Sequence, residues 1–218
     1  MDYNYNYNGL VNFGKIIIKS ERILYYIPII HTYTDMGTFG EVIYQETAQS
    51  EDGRKSKEER LNKMWTEIEK TIDGLNLSYE KVRLYQDGLP LCGKELEIVQ
   101  EIANKKSRNY QLLLRLIEKG AILTGTESIE LLTREYDIYH KLFINKGLLK
   151  TIEDNEYVKI ELAEILKQRD EFIANRINTT LCYGETGVLF LGMLHSLKGL
   201  LEKDIKIIFL VNKHFDCL

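Results

Sequence analysis

Cysteine, proline and tryptophan are scarce in this chain: three cysteines, two prolines and one tryptophan among 218 residues. The cysteines, Cys92, Cys182 and Cys217, are far apart, odd in number and without CxxC spacing. That argues against a disulfide framework and against a thiolate zinc site, and makes a reducing cytoplasm the expected compartment. No apolar run approaches the roughly 18–20 residues that span a bilayer, so no membrane segment is expected. A basic excess is also missing. The formal net charge is −4, which makes a nucleic-acid backbone an unlikely main partner. The chain has no GxxxxGK[ST] loop, no GxGxxG after a strand and no GxSxG elbow. Residues 1–9 begin with Tyr/Asn alternation instead of an apolar signal core, and a flexible tail is expected there.

What is present is an ordinary globular balance, 44% hydrophobic and 28% charged residues. A chain of this length can bury a core without disulfides or metals, and a single domain over 1–218 is expected. Arg22 to Ile30 (RILYYIPII) suits a buried strand, with Pro28 awkward in a central ladder. Residues 50–57 are charged and read as an exposed loop, after which Ser56 and Glu59 form a capping box. Leu61, Met64, Trp65, Ile68 and Ile72 follow at helical spacing, with Gly74 as a stop. Lys81 to Tyr85, Ala121 to Leu123, Val188 to Leu191 and Ile205 to Val211 read as further strands. Helices are expected over Lys94–Lys105, Asn109–Glu118, a stretch ending near Asn145, and Glu156–Thr179 with Asp154 as its cap. Strands alternating with helices predict an α/β fold. Its sheet should be mixed or largely parallel and flanked by helices in three layers. Ligands in such folds favour the carboxyl ends of the strands.

Polar residues cluster where the apolar strands end. His31 directly follows the first strand, in a loop that also holds Asp35. His195 follows VLFL in Gly192-Met193-Leu194-His195. An imidazole there suits metal binding or proton exchange near neutral pH; the plainer alternative is a strand cap bonded to a carbonyl. Asp87 follows the KVRLY strand and Glu127 follows AIL. Carboxylates and histidines converging from several strand ends would suit a hard divalent metal or acid–base catalysis. The alternatives are a turn role for Asp87 and a helix-start role for Glu127. On the long helix, Arg169 and Arg176 fall inside the apolar stripe by spacing. A buried guanidinium needs an anion or carbonyls, so Arg169 is expected to meet a carboxylate or an anionic ligand, or to form a structural ion pair. Cys92 precedes a helix and is expected to be a plain buried cysteine.

The segment Arg169-Asp170-Glu171-Phe172-Ile173-Ala174-Asn175-Arg176-Ile177 precedes a glycine-containing turn. Then come Val188-Leu189-Phe190-Leu191-Gly192-Met193-Leu194-His195 and Gly199-Leu200. Over residues 166–200 this resembles the closing segment of the TraB/Tiki/ChaN-like superfamily, which includes erythromycin-esterase-like proteins. There a helical arginine, often followed by Asp or Asn, precedes a strand ending in Gly-x-x-His. The resemblance implies an α/β fold with hydrolase or metal-dependent peptidase activity, although other members bind haem or have no known activity. Residue by residue it points to Arg169, Gly192 and His195. The superfamily's first motif is another Gly-x-x-His; here His31 stands in place, with Pro28 where the glycine would be. The acidic residue after the next strand would fall near Gln86-Asp87, with Asp87 standing for the expected glutamate.

Two functional readings follow. One is a hydrolase of a small-molecule or peptide substrate, metal-assisted, with His31 and His195 as ligands or acid–base groups. Asp87, Glu127 and Arg169 complete its site. The other is a non-catalytic ligand-binding or regulatory module on the same fold. A homo-oligomer is compatible with either.

Overall fold

The computed structural model describes residues 10–13, 16–19, 21–30, 51–144 and 155–210. The expected tail at 1–9 lies outside the described residues, as do His31, Asp35, Asp154, His214 and Cys217. The first elements are two short strands, β1 (Leu10–Phe13) and β2 (Ile16–Lys19), paired as an antiparallel hairpin. The sequence reading had placed no strand there.

The main sheet has five strands: β3 (Arg22–Ile29), β4 (Val82–Gln86), β5 (Ile122–Thr124), β6 (Thr186–Gly192) and β7 (Ile205–Phe209). Their spatial order is β5-β4-β6-β3-β7, and every neighbouring pair is parallel. Five helices flank the sheet among the described residues: α1 (Glu51–Asp73), α2 (Glu95–Asn104), α3 (Arg108–Glu118), α4 (Ile129–Ile144) and α5 (Glu156–Thr180). None of them is long and apolar enough to cross a membrane.

Strand alternation divides the core. Ile27, Ile29, Val82, Leu84, Val188 and Phe190 face a layer built from α1, α2 and α3. Leu24, Tyr26, Tyr85, Leu189 and Leu191 face α5 through Ile173, Ala174 and Ile177. Helix α4 packs on the first half of α5, joining Ile138 and Leu142 to Ile165. Both sheet faces are therefore covered, and the strands read as continuous apolar runs, as parallel strands must. This is the expected three-layer α/β arrangement, with the sheet wholly parallel.

The crossovers explain the layering. From β3 the chain moves outward to β4 and then β5, with α1, α2 and α3 on one face. It then reverses to β6, with α4 and α5 on the other. Right-handed crossovers require the face to change when the direction reverses. The segments leaving β4 and β5 lead to helices on opposite faces, but they are first bonded to each other: Thr126 N and Glu127 N donate to Leu89 O, each at 3.0 Å, and Leu91 N donates to Glu127 O at 2.9 Å.

Several local expectations are corrected. Residues 51–57 are the first turns of α1 instead of an exposed loop, and Ser56 and Glu59 lie inside that helix. The run is rich in Glu, Lys and Arg, which favour helix, and that outweighs the capping-box signature. Helix α5 is capped by Asn155, whose Oδ1 accepts from Val158 N at 3.3 Å. Cys92 is exposed. Pro28 lies within a continuous β3, in register with Leu191. Leu210 N donates to Tyr26 O at 2.9 Å, so even-numbered residues of β3 turn their backbone groups toward β7. Pairing with β7 ends at Tyr26, so the N–H that Pro28 lacks would face a side without a partner strand.

Gly125 fixes the loop after β5 against the loop after β4. A Cβ built on it would lie 2.7 Å from Leu91 Cα and 2.9 Å from Glu95 Oε1. Backbone cannot yield cheaply, so Gly125→Ala is expected to lower stability by about 1–3 kcal/mol, the range for overpacking. Urea unfolding measures it; an unchanged midpoint would show that the two loops are not in tight contact.

Candidate functional site

Asp87 is the first residue after β4. Its N–H donates to Phe190 O at 2.9 Å, which prolongs the ladder toward β6, and its Oδ2 accepts from Gly192 N at 2.8 Å. The carboxylate is thereby fixed across the end of β6. Gly88 follows with φ +74°, a left-handed conformation that glycine adopts at no steric cost, and lets the chain turn away.

Glu127 is held by backbone. Its N–H donates to Leu89 O at 3.0 Å and its carbonyl accepts from Leu91 N at 2.9 Å. Thr126 locks the same segment: Gln86 N donates to its Oγ1 at 3.0 Å. The Glu127 side chain is fully buried and points back toward β4, with Oε1 3.4 Å from Gly88 N.

Arg169 joins the two. Ile165, Arg169, Ile173 and Ile177 form the buried stripe of α5, so the stripe carries a guanidinium into the core, as the spacing predicts. Its Nη2 donates to Asp87 Oδ1 at 2.8 Å and to Glu127 Oε1 at 2.6 Å. Its Nε donates to Glu127 Oε2 at 3.2 Å, and Nη1 donates to Glu135 Oε2 on α4 at 2.8 Å. Every guanidinium nitrogen is engaged by a carboxylate of the chain itself. Arg176, two turns nearer the helix end, donates from Nε to Gly125 O at 3.0 Å and meets none of these carboxylates.

His195 completes the cluster. Its N–H bonds to Gly192 O at 3.1 Å, a tight turn at the end of β6. The ring is 4% exposed, with Nδ1 2.6 Å from Asp170 Oδ1 and Nε2 3.5 Å from Asp87 Oδ2. Asp170 Oδ2 accepts from Ser196 N at 3.0 Å. Asp87, Glu127, Arg169 and His195, all expected as site residues, are therefore brought together. His31 lies outside the described residues; Ile29, two residues before it in the chain, pairs with Gly192.

The electrostatics follow from burial opposed by pairing. Burial alone would depress the His195 imidazole. The hydrogen bond and charge of Asp87, with help from Asp170, outweigh that and the opposing charge of Arg169, so its pKa is raised. Burial pushes the Glu127 carboxyl up. Arg169 pulls it down, Asp87 pushes it up again, and the net shift is upward. Arg169 resists deprotonation more than a free guanidinium despite its burial, because Glu127, Asp87 and Glu135 surround it. Tyr26 is pushed up to about 12 by burial and by the charges of Asp170 and Asp87, which places its phenol beside the same group.

Four carboxylates, Asp87, Glu127, Glu135 and Asp170, share two basic partners, Arg169 and His195. Even with the imidazole protonated, the cluster carries more negative than positive charge. One oxygen each of Asp87 and Glu127 and one ring nitrogen of His195 lie within 4.8 Å of one another, so these three residues could hold a metal ion. Sequence reasoning had paired His195 with His31 as ligands; among the described residues the group comprises His195 with two carboxylates. It missed Asp170 and Glu135. Asp170 had a signal, adjacent to Arg169 and one turn before Ala174 on the buried face; Glu135 had none. Comparison with protein-family models, curated proteins and solved structures finds no match for the chain.

Two outcomes are expected. Arg169→Met leaves Asp87 and Glu127 buried without their partner and should cost about 3–5 kcal/mol. Arg169→Lys should recover little of it, because an ammonium cannot bridge three carboxylates as a planar fork does. Urea denaturation of both variants beside Arg176→Ala is the check; equal losses at 169 and 176 would refute the assignment. The second outcome concerns pH. A group whose folded pKa is raised stabilises the fold fully below its unfolded value, about 6.5 for histidine. That contribution is lost as pH rises through the folded value. Stability measured in chelator should therefore fall above about pH 6.5, and His195→Gln should flatten that slope.

Proposed function

We propose that this chain is a hydrolase of a small-molecule or peptide substrate, assisted by a divalent metal held by Asp87, Glu127 and His195. This is the activity that the resemblance to the TraB/Tiki/ChaN-like superfamily implies. The observation carrying it is the convergence of those three donors beside Arg169, at the carboxyl ends of parallel strands. One imidazole and two carboxylates form a donor set suited to zinc, manganese or another divalent ion. The surplus of acidic groups supports the same reading, because buried negative charge needs a counter-charge.

An ion bound there would polarise a substrate carbonyl and acidify a coordinated water. The chain's residues do the rest. Arg169 and Gly192 N–H hold Asp87, and Arg169 with Gly88 N–H holds Glu127. With four of its five N–H donors bonded to Asp87, Glu127 and Glu135, Arg169 would act chiefly as a clamp on the ligands. A substrate would approach from the carboxyl ends of the strands, the side on which parallel sheets bind ligands. His31 belongs to the proposal by placement, since it follows β3 at the end where Ile29 pairs with Gly192.

A second reading, a non-catalytic ligand-binding or regulatory module, is favoured by one observation. Four of the five guanidinium N–H donors of Arg169 are bonded to the chain's own carboxylates.

The experiment is metal analysis of the purified protein, paired with a panel of ester and peptide substrates. The wild type should hold stoichiometric divalent metal and hydrolyse at least one substrate class in a chelator-sensitive, metal-restorable way. Glu127→Gln, His195→Ala and His31→Ala should each lower metal occupancy. A wild type that neither carries nor takes up metal, and turns over nothing on the panel, leaves the module reading standing.

A further inference from the structure

Resting on the metal-assisted reading, we infer that Asp170 is a positioning residue: it fixes His195 in the tautomer with the proton on Nδ1 and the lone pair on Nε2 facing Asp87. The backbone N–H of Ser196 in turn fixes Asp170.

A neutral imidazole carries one N–H and one lone pair, and its surroundings decide which nitrogen holds which. His195 lies between two carboxylates at unequal distances. Nδ1 is 2.6 Å from Asp170 Oδ1, whereas Nε2 is 3.5 Å from Asp87 Oδ2. A nitrogen lone pair aimed at a carboxylate oxygen is repelled far more at the shorter distance. The neutral ring therefore puts its proton on Nδ1, and Nε2 is left as donor atom to a metal among Asp87 and Glu127. A second-row carboxylate on the far nitrogen of a metal-binding histidine both orients the ring and raises its basicity.

The other oxygen of Asp170 is not idle. It accepts Ser196 N–H at 3.0 Å. Asp170 thus spans from α5 to the turn after β6 with one oxygen for the ring and one for the backbone beside it. Both oxygens must be acceptors for the arrangement to work. Asn178 of α5 bonds the same connection farther on, at Leu200 O and Glu202 N, and Arg169, the neighbour of Asp170 in the chain, is committed to different carboxylates.

This geometry makes an unusual prediction about a nearly isosteric change. In Asp170→Asn the side-chain oxygen has to accept from Ser196 N–H, because an amide nitrogen cannot. The NH2 group is then directed at Nδ1, which must become the lone-pair nitrogen, and the proton moves to Nε2. The variant imposes the wrong tautomer, while Asp170→Ala merely removes the preference. A role confined to packing would rank the two the other way, with the isosteric asparagine the milder.

The test is long-range 1H–15N NMR of His195 in metal-free protein, at a pH above the imidazole titration, with zinc affinity measured by equilibrium dialysis on the same samples. The wild type should show Nδ1–H, Asp170→Asn should show Nε2–H, and Asp170→Ala a mixture. Zinc affinity should fall from wild type to Ala to Asn, with the asparagine variant at least ~10-fold weaker than the wild type. Retention of Nδ1–H in Asp170→Asn, or tighter zinc binding by Asn than by Ala, overturns the inference. Should Asp170→Asn not fold, the ring signature of Asp170→Ala decides: a lost Nδ1–H preference supports the inference and a retained one overturns it. If the tautomer reverses as expected but the wild type binds no zinc, the positioning role stands and the metal-assisted reading fails.

Discussion

A guanidinium buried at the head of a parallel sheet must be enclosed by acceptors, because an unpaired charge there costs more than a small domain can spare. Arg169 is such a group, and its acceptors come from two connections: Asp87 after β4, and Glu127 and Glu135, the second on α4, after β5. The helix carrying Arg169 packs on β6 and β3, so one side chain ties the outer half of the sheet to its centre. Asp87 passes the constraint on through Gly192 N–H to the end of β6 and the His195 turn. The segments after β4 and β5 are backbone-bonded to one another, through Leu89, Leu91, Thr126 and Glu127. The polar cluster therefore has little freedom to relax when a member is removed.

The parts of this arrangement that were legible in the sequence are those with a local signature. The stripe of α5 reads directly from spacing, and Arg169 stands out as the charge that breaks it. Asp87, Glu127 and His195 were found because each follows an apolar strand at a turn. The glycine before His195 and the order of strands and helices indicated which end of the sheet they would share. What the sequence hid is non-local. Glu135 reaches Arg169 across a helix pair whose approach depends on Ile138, Leu142 and Ile165 packing. The tolerance of Pro28 depends on where β7 stops pairing, which no feature of β3 reveals. The start of α1 went astray for a different reason, because a capping-box pattern sat within a run whose helix propensity is strong throughout.

Ion pairs alone do not explain why such a cluster is kept. A buried ion-pair group built for stability would balance its charges, and even a balanced one can often be replaced by apolar side chains without loss. Here the acids outnumber the bases, four to two, and Asp87, Glu127 and the His195 ring bring three donor atoms within 4.8 Å of one another. The protein relieves the imbalance in part by holding the His195 proton more tightly and by raising the Glu127 carboxyl. Each relief uses a proton that leaves as pH rises, so neither is permanent. A divalent cation would offset the imbalance once the His195 proton has left and would stabilise the fold, since whatever binds only the native state does so. Arg169 would then be the fixed charge that keeps the two carboxylates side by side with or without a cation.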